Sequence, residues 1–248
     1  MPDSTIDAED DHAARGRLAA RPHPPTATPT GAVTPGLHAL ALGAPARDAL
    51  LYVPAGYQAD RPASLAVMLH GAGGTAAHGM SLLADLADAA GLVLLAPSSW
   101  AQTWDVIAGG FGPDVARLDA ALADVFGRCA VDPRRVAVGG FSDGASYALS
   151  LGLTNGDLFT HVIAFAPGFM APGARVGTPR CYVAHGTRDA VLPIDRCSRR
   201  LVPALERAGY AVDYEEFDGP HTVPPTIARA AVRWFTPDPT PAVEGVSK

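Results

Sequence analysis

The chemistry of this sequence gathers around Ser142. It stands in Gly140-Phe141-Ser142-Asp143-Gly144, a G-x-S-x-G pattern that follows the apolar run Val136-Ala137-Val138 and precedes a helix-like run from Ala145 to Leu153. Strand, sharp turn and helix form the context in which this pattern projects a hydroxyl from a sheet edge. Glycine is needed at 140 and 144 because side chains there would collide with neighbouring backbone. The following helix points its N-terminus at the hydroxyl and favours negative charge developing there. A serine hydroxyl is a poor nucleophile until a base takes its proton. The pattern therefore calls for a His oriented by an acid, in the chain order Ser, then Asp or Glu, then His. Asp189 follows the apolar run Cys181-Tyr182-Val183-Ala184, within His185-Gly186-Thr187-Arg188-Asp189. His221 lies in Gly219-Pro220-His221-Thr222, after a run ending at Phe217. The order Ser142, Asp189, His221 is the required one.

A third signal lies upstream, in Leu69-His70-Gly71-Ala72-Gly73-Gly74, directly after another apolar run. Small residues let the backbone approach a substrate closely. Such a loop supplies one N–H of an oxyanion hole, and the residue after the nucleophile supplies the other. The expected donors are the amides of Ala72 and Asp143. Other residues compete for these roles. His185 and His70 are alternative bases, but the base should follow the acid, so both read as structural. Asp195 and Asp218 are alternative acids, read instead as a helix-flanking residue and a turn residue. The Asp143 side chain reads as a first-turn carboxylate favoured by the helix dipole. Asp105 and Asp114 read as surface or loop-anchoring groups. Trp100, Trp104 and Phe111 fall in a loop-rich stretch, Ser98 to Gly112, that should overhang the same sheet edge. They are assigned to substrate binding because such pockets are mostly apolar; the competing reading is that they pack the loop onto the body. Phe169 and Met170 carry the same pair of readings.

The elements that must hold these residues are legible in the apolar pattern. Ala49–Val53, Leu65–Leu69, Leu92–Ala96, Val136–Val138, Val162–Ala166 and Cys181–Ala184 read as strands, several buried on both faces. Val212–Phe217 alternates, as an outer strand with one wet face should. Helices are expected over Met80–Ala90 with Gly91 as its stop, over Pro113–Arg128, over Pro203–Ala208 and over Pro224–Phe235. Strands alternating with helices predict a three-layer α/β fold, a mostly parallel central sheet flanked by helices. Loops at the carboxyl ends of such strands are where ligands bind.

The chain has 248 residues, 48% hydrophobic and 18% charged, which suits one core. Its formal charge of −6, with Lys and Arg unclustered, argues against nucleic acid. Three cysteines, Cys129, Cys181 and Cys197, do not read as a disulfide framework or a zinc site, and Cys181 reads as core. The acidic start lacks the basic and apolar regions of a signal peptide, and no stretch reads as a membrane span. A cytoplasmic protein is the expectation. Residues 1–35, rich in Pro, Ala and Thr, are expected to be a disordered or loose tail, 36–236 the catalytic domain, and 237–248 a loose C-terminal tail.

Over about Leu50 to Phe235 the sequence resembles the α/β-hydrolase superfamily, and within it the small carboxylesterase/phospholipase-type serine esterases. The resemblance rests on Leu69–Gly74, Gly139–Gly144, His185–Asp189 and Gly219–His221. It implies Ser142 as nucleophile, Asp189 as orienting acid and His221 as base. It further implies hydrolysis of a small-molecule ester or thioester through an acyl-enzyme, without metal or cofactor. Polyhydroxyalkanoate depolymerases and feruloyl esterases share the outline and are the alternatives. A non-catalytic binding protein on the same fold is the reading from a different class. Dienelactone hydrolases share it too, but typically use Cys where this chain has Ser142. Acyl-protein thioesterases often carry Gln after the nucleophile, where this chain has Asp143. The oligomeric state is not written in the sequence.

Overall fold

In a computed structural model, the described residues are 12–23, 33–41 and 49–236. Eight strands form one sheet: β1 (Gly36–Leu40), β2 (Ala49–Val53), β3 (Ala63–Leu69), β4 (Leu92–Ala96), β5 (Val131–Phe141), β6 (His161–Phe165), β7 (Arg180–Gly186) and β8 (Val212–Phe217). Their spatial order is β1-β2-β4-β3-β5-β6-β7-β8. β1 pairs with β2, and β2 with β4, in antiparallel fashion; every later pairing is parallel. The helices are α1 (Ala76–Ser81), α2 (Ala84–Ala90), α3 (Asp105–Ala108), α4 (Pro113–Arg128), α5 (Asp143–Thr154), α6 (Ser198–Arg207) and α7 (Pro225–Phe235).

The strand period of two divides the core between the two faces of the sheet. Along β3, Leu65, Val67 and Leu69 join a cluster with Val115, Leu118, Leu122 and Val125 of α4, the buried residues of α5, and Val202 and Leu205 of α6. Ala66 and Met68 point the other way, into a cluster with Met80, Leu83 and Ala87 and with Ile227, Ala231, Val232 and Phe235 of α7. The central strands are buried on both sides, which is why they read as continuous apolar runs rather than alternations.

Several boundaries differ from the sequence reading. β1 was not expected; its residues alternate in burial, Leu37 is exposed, and an edge strand needs no apolar run. The helix expected over Met80–Ala90 is two helices broken at Leu82-Leu83, and Gly91 ends the second with φ of 59°. α6 begins at Ser198, so Pro203 lies inside the helix rather than at its start.

The larger difference is at the N-terminus. Residues 12–23 lie within the segment expected to be loose, yet they dock on the body. Leu18 is buried, its N–H donates to Asn155 Oδ1 at 2.9 Å, and Asn155 Nδ2 donates to the Gly16 carbonyl at 2.7 Å. Arg17 and Arg21 both pair with Asp157, at 2.8 and 2.6 Å. The prolines from Arg21 to Pro25 exclude a ladder or a helix there, but not a short helical turn over 12–14 followed by an irregular run whose polar groups are met by side chains of the body. Residues 1–11, 24–32 and the expected C-terminal tail 237–248 lie outside the described residues. None of the described helices is long and apolar enough to cross a membrane.

Candidate active site

β5 runs into α5 through a single residue, Ser142, held at φ 57° and ψ −118°. A positive φ is uncommon for a residue with a side chain, and here the surroundings impose it. The Ser142 N–H donates to the Phe165 carbonyl of the neighbouring strand at 2.9 Å, and the Ser142 carbonyl accepts the first α5 amides, Ala145 and Ser146, at 3.0 Å each. The turn closes on the end of β3. A Cβ at Gly144 would lie 2.3 Å from the Leu69 carbonyl oxygen, and one at Gly140 would lie 2.6 Å from the same oxygen. Glycine at both positions follows from that contact.

The hydroxyl so presented meets His221, which arrives in the loop after β8. Ser142 Oγ lies 2.9 Å from His221 Nε2, and His221 Nδ1 lies 2.5 Å from Asp189 Oδ2. A carboxylate only accepts, so Nδ1 carries the proton and Nε2 faces the hydroxyl as an acceptor. Phe141 packs against the imidazole with ring centroids 4.6 Å apart. The Asp189 side chain is fully buried. Its Oδ1 accepts the amides of Val191 and Leu192 at 2.9 and 2.8 Å. Burial pushes this carboxyl up, but the Leu192 amide and the His221 hydrogen bond more than offset it and hold the group below the usual carboxylate range. The acid is therefore ionised and fixed.

The competing residues fall elsewhere. His185 is buried beside Asp189, with Nε2 3.2 Å from Oδ2. Its Nε2 donates to the Leu192 carbonyl at 2.8 Å and its Nδ1 accepts from Ser198 Oγ at 2.7 Å. Burial lowers its pKa and keeps it neutral. It braces the Asp189 loop and has no bond to Ser142. Asp195 and Asp218 are exposed and paired with Arg199 and Arg188.

The loop after β3 runs against Ser142: a Cβ on Gly71 would sit 3.4 Å from Ser142 Cβ. His70 organises this loop. Its Nε2 accepts the Ser99 amide at 3.0 Å, which leaves Nδ1 to donate to the Gly71 carbonyl at 2.7 Å. The Gly73 amide is tied to the Gln102 carbonyl at 2.7 Å. Among the described residues the Ala72 amide has no hydrogen-bond partner, and Asp143, as the first residue of α5, has an N–H that no helix carbonyl can take.

The three aromatic residues assigned to substrate binding separate. Trp104 is 1% exposed, stacks on Tyr147 at 5.0 Å, and donates Nε1–H to the His70 carbonyl at 2.9 Å. It is a core residue that fastens the loop after β3, and its substrate-binding assignment is corrected: an indole in that position has no free face. Trp100 is 55% exposed, with the Arg117 guanidinium 5.5 Å from its ring centroid. Trp100 and half-buried Phe111 line an open cavity of about 670 Å³ between residues 100 and 114.

Asp105 and Asp114 build that cavity's frame by capping each other's loop segments. Asp114 accepts the amides of Trp100 and Asp105 on its two oxygens, at 2.5 and 2.8 Å. Asp105 Oδ2 returns the arrangement, accepting the Gly112 and Asp114 amides at 2.8 and 3.0 Å. Burial pushes Asp114 up to about 6, the Asp105 charge adding to it against the pull of the Trp100 amide. Anchoring was one of the two roles read for these residues; their reciprocity depends on a loop path no local pattern reveals. Thr103 Oγ1 donates to Asp143 Oδ2 at 2.6 Å, tying the same loop to the residue after Ser142.

No family model matches the sequence, and no curated protein matches it. Solved structures do match. Esterase PE8 superposes with a TM-score of 0.61 over 82% of this chain and 98% of its own, at 23% identity. S-formylglutathione hydrolase FrmB from Staphylococcus aureus gives 0.64 over 80% and 97%, at 14% identity. The Bacillus cereus carboxylesterase gives 0.60 over 76% and 93%, at 19% identity.

The fold is that of the α/β hydrolases. In this α/β-hydrolase fold the carboxyl ends of β3, β5, β7 and β8 bring Ala72, Ser142, Asp189 and His221 to one edge of the sheet. Cys129, Cys181 and Cys197 are buried free thiols, Cys181 within β7. Burial raises the Cys181 thiol to about 12, so it is no nucleophile.

Proposed function

We propose that this chain is a serine hydrolase that cleaves carboxylic esters of small molecules through an acyl-enzyme. The observation that carries the reading is the His221 ring, whose two nitrogens reach Ser142 Oγ and Asp189 Oδ2 at 2.9 and 2.5 Å. His221 takes the hydroxyl proton as Ser142 Oγ attacks the ester carbonyl. The amides of Ala72 and Asp143 receive the oxyanion, at the N-terminus of α5. Asp189 keeps the imidazole in the accepting tautomer and stabilises its charged form. His221 then protonates the leaving alcohol, and water repeats the cycle on the acyl-enzyme. Supply of such donors is worth about 3–4 kcal/mol each in known oxyanion holes.

Trp100 and Phe111 are the residues proposed to meet the substrate, from the walls of the cavity between residues 100 and 114. The test is p-nitrophenyl ester hydrolysis together with labelling by a fluorophosphonate. Ser142→Ala should fold as the unaltered protein does, lose label and lose nearly all turnover. A correctly folded protein that neither labels nor turns over any ester would instead be a binding protein on this fold.

A further inference from the structure

We propose that residues 12–21 form a strap that sets the far end of the substrate pocket by holding Phe111, so that this segment helps determine which esters the site accepts. The inference rests on the hydrolase reading above.

The strap bridges two walls. On one side, Gly16 lies on the Phe111 ring: with φ of +72°, an added Cβ would come 2.5 Å from Phe111 Cδ2. On the other, a Cβ on Gly173 would lie 2.9 Å from the Arg15 carbonyl oxygen. Gly173 belongs to the stretch after β6 that is pinned along α5. There the Gly168, Ala171 and Gly173 amides donate to Ser146, Ser150 and Thr154, at 2.9, 2.9 and 3.0 Å. Ser146 in turn donates to the Ser142 carbonyl at 3.2 Å. Phe111 lines the cavity whose wall residue Thr103 bonds Asp143, the neighbour of Ser142, and also meets Tyr147, centroids 6.1 Å apart. The strap thus touches a pocket wall directly, and no member of the Ser142, Asp189 and His221 set.

What holds the strap lies outside that pocket. The Ala19 and Ala20 amides both donate to Asp119 Oδ1 at 2.8 Å, on the flank of α4. Arg17 also donates to the Thr154 carbonyl, beyond its pairing with Asp157. The Arg17 and Arg21 pairings with Asp157 are partly exposed and ionic, and Asp119 meets the strap on the flank of α4, so these contacts can be removed without disturbing the sheet. Released from the strap, Phe111 loses the backbone packed against its ring and is free to turn away from the cavity. The pocket then lengthens. Gly16 is required by the same contact, since any side chain must displace either the strap or the ring.

The test compares the unaltered chain with a release variant, Arg17→Ala with Arg21→Ala and Asp119→Ala, and with the single variant Gly16→Val. Two ester series are measured, one varying the acyl chain on p-nitrophenol and one varying the alcohol of acetates by pH-stat. In both variants the kcat/KM ratio of long to short substrates should rise about tenfold in one series, mainly through KM, as expected when an apolar pocket gains length. Labelling of Ser142 by a small fluorophosphonate should stay within about twofold, because the reacting groups are untouched. Arg17→Lys with Arg21→Lys keeps the charges on Asp157 and should restore the original ratio. If both ratios stay flat while labelling is normal, the strap inference is overturned and the hydrolase reading stands. If the unaltered protein takes no label at all, both fall. Should the release variant fail to fold, Gly16→Val alone decides.

Discussion

Replacing Asp189 with Asn tests the arrangement with almost no change of shape. Asp189 Oδ1 accepts two amides, Val191 and Leu192, and Oδ2 accepts His221 Nδ1–H. An Asn must place its oxygen on one side and its NH₂ on the other. Turning the NH₂ toward Val191 and Leu192 would set donors against donors and lose two buried hydrogen bonds, about 2–3 kcal/mol. The oxygen therefore stays with the amides and the NH₂ faces His221. Nδ1 becomes an acceptor, the ring proton moves to Nε2, and Ser142 Oγ meets a donor where it needs a base. Such a tautomer inversion lowers kcat by about 10⁴, which corresponds to about 5.4 kcal/mol of transition-state stabilisation. Steady-state hydrolysis of p-nitrophenyl acetate measures it, with thermal unfolding as the check on structure. Asp195→Asn and Asp218→Asn, at exposed carboxylates away from the ring, should leave kcat unchanged. A loss of less than about tenfold in folded Asp189→Asn would refute the reasoning, because a group that fixes the tautomer must act at least on that scale.

The two tryptophans of the loop should respond in opposite ways. Trp104→Phe removes the donor to the His70 carbonyl and should cost about 1–3 kcal/mol of stability, read by denaturant unfolding, and slow kcat through the loosened loop. Trp100→Ala should leave stability within about 0.5 kcal/mol while raising KM, since the side chain is mostly in water. Asp114 gives a pH signature. Its folded pKa is raised to about 6, so the folded state binds the proton more tightly than the unfolded chain does. Stability contributed by this group is present at low pH and is lost as pH rises through its folded pKa. Relative to Asp114→Asn, the unaltered protein should thus lose stability between pH 4 and 7, by at most about 3 kcal/mol. Asp189 acts in the opposite sense: its lowered pKa contributes stability above the ordinary carboxylate range that is lost as pH falls. Unfolding curves across this range for both proteins check the sign, and a flat difference would remove Asp114 as the titrating group.

Much of this protein could be read from local pattern. Burial on both faces makes a strand a continuous apolar run, so β3, β4 and β6 were visible without a structure. The turn at Ser142 is tight enough to demand glycines at 140 and 144, and that demand is a spacing in the sequence. Chain order separated Asp189 and His221 from His185, Asp195 and Asp218, since the acid and base arrive on successive strand ends. What the sequence could not carry are contacts whose partners lie far apart along the chain and have no periodicity. Trp104 and Trp100 look alike in a loop, and only the position of the His70 carbonyl and Tyr147 makes one core and the other surface. The mutual capping of Asp105 and Asp114 requires the loop to fold back on itself. Composition described residues 1–35 as a disordered or loose tail; it could not say that Asn155, Asp119 and Asp157, about a hundred residues or more away, supply bonds to part of it. Local sterics and burial period are properties of neighbouring residues and are therefore written in the sequence, whereas the satisfaction of individual polar groups is decided only when distant segments meet.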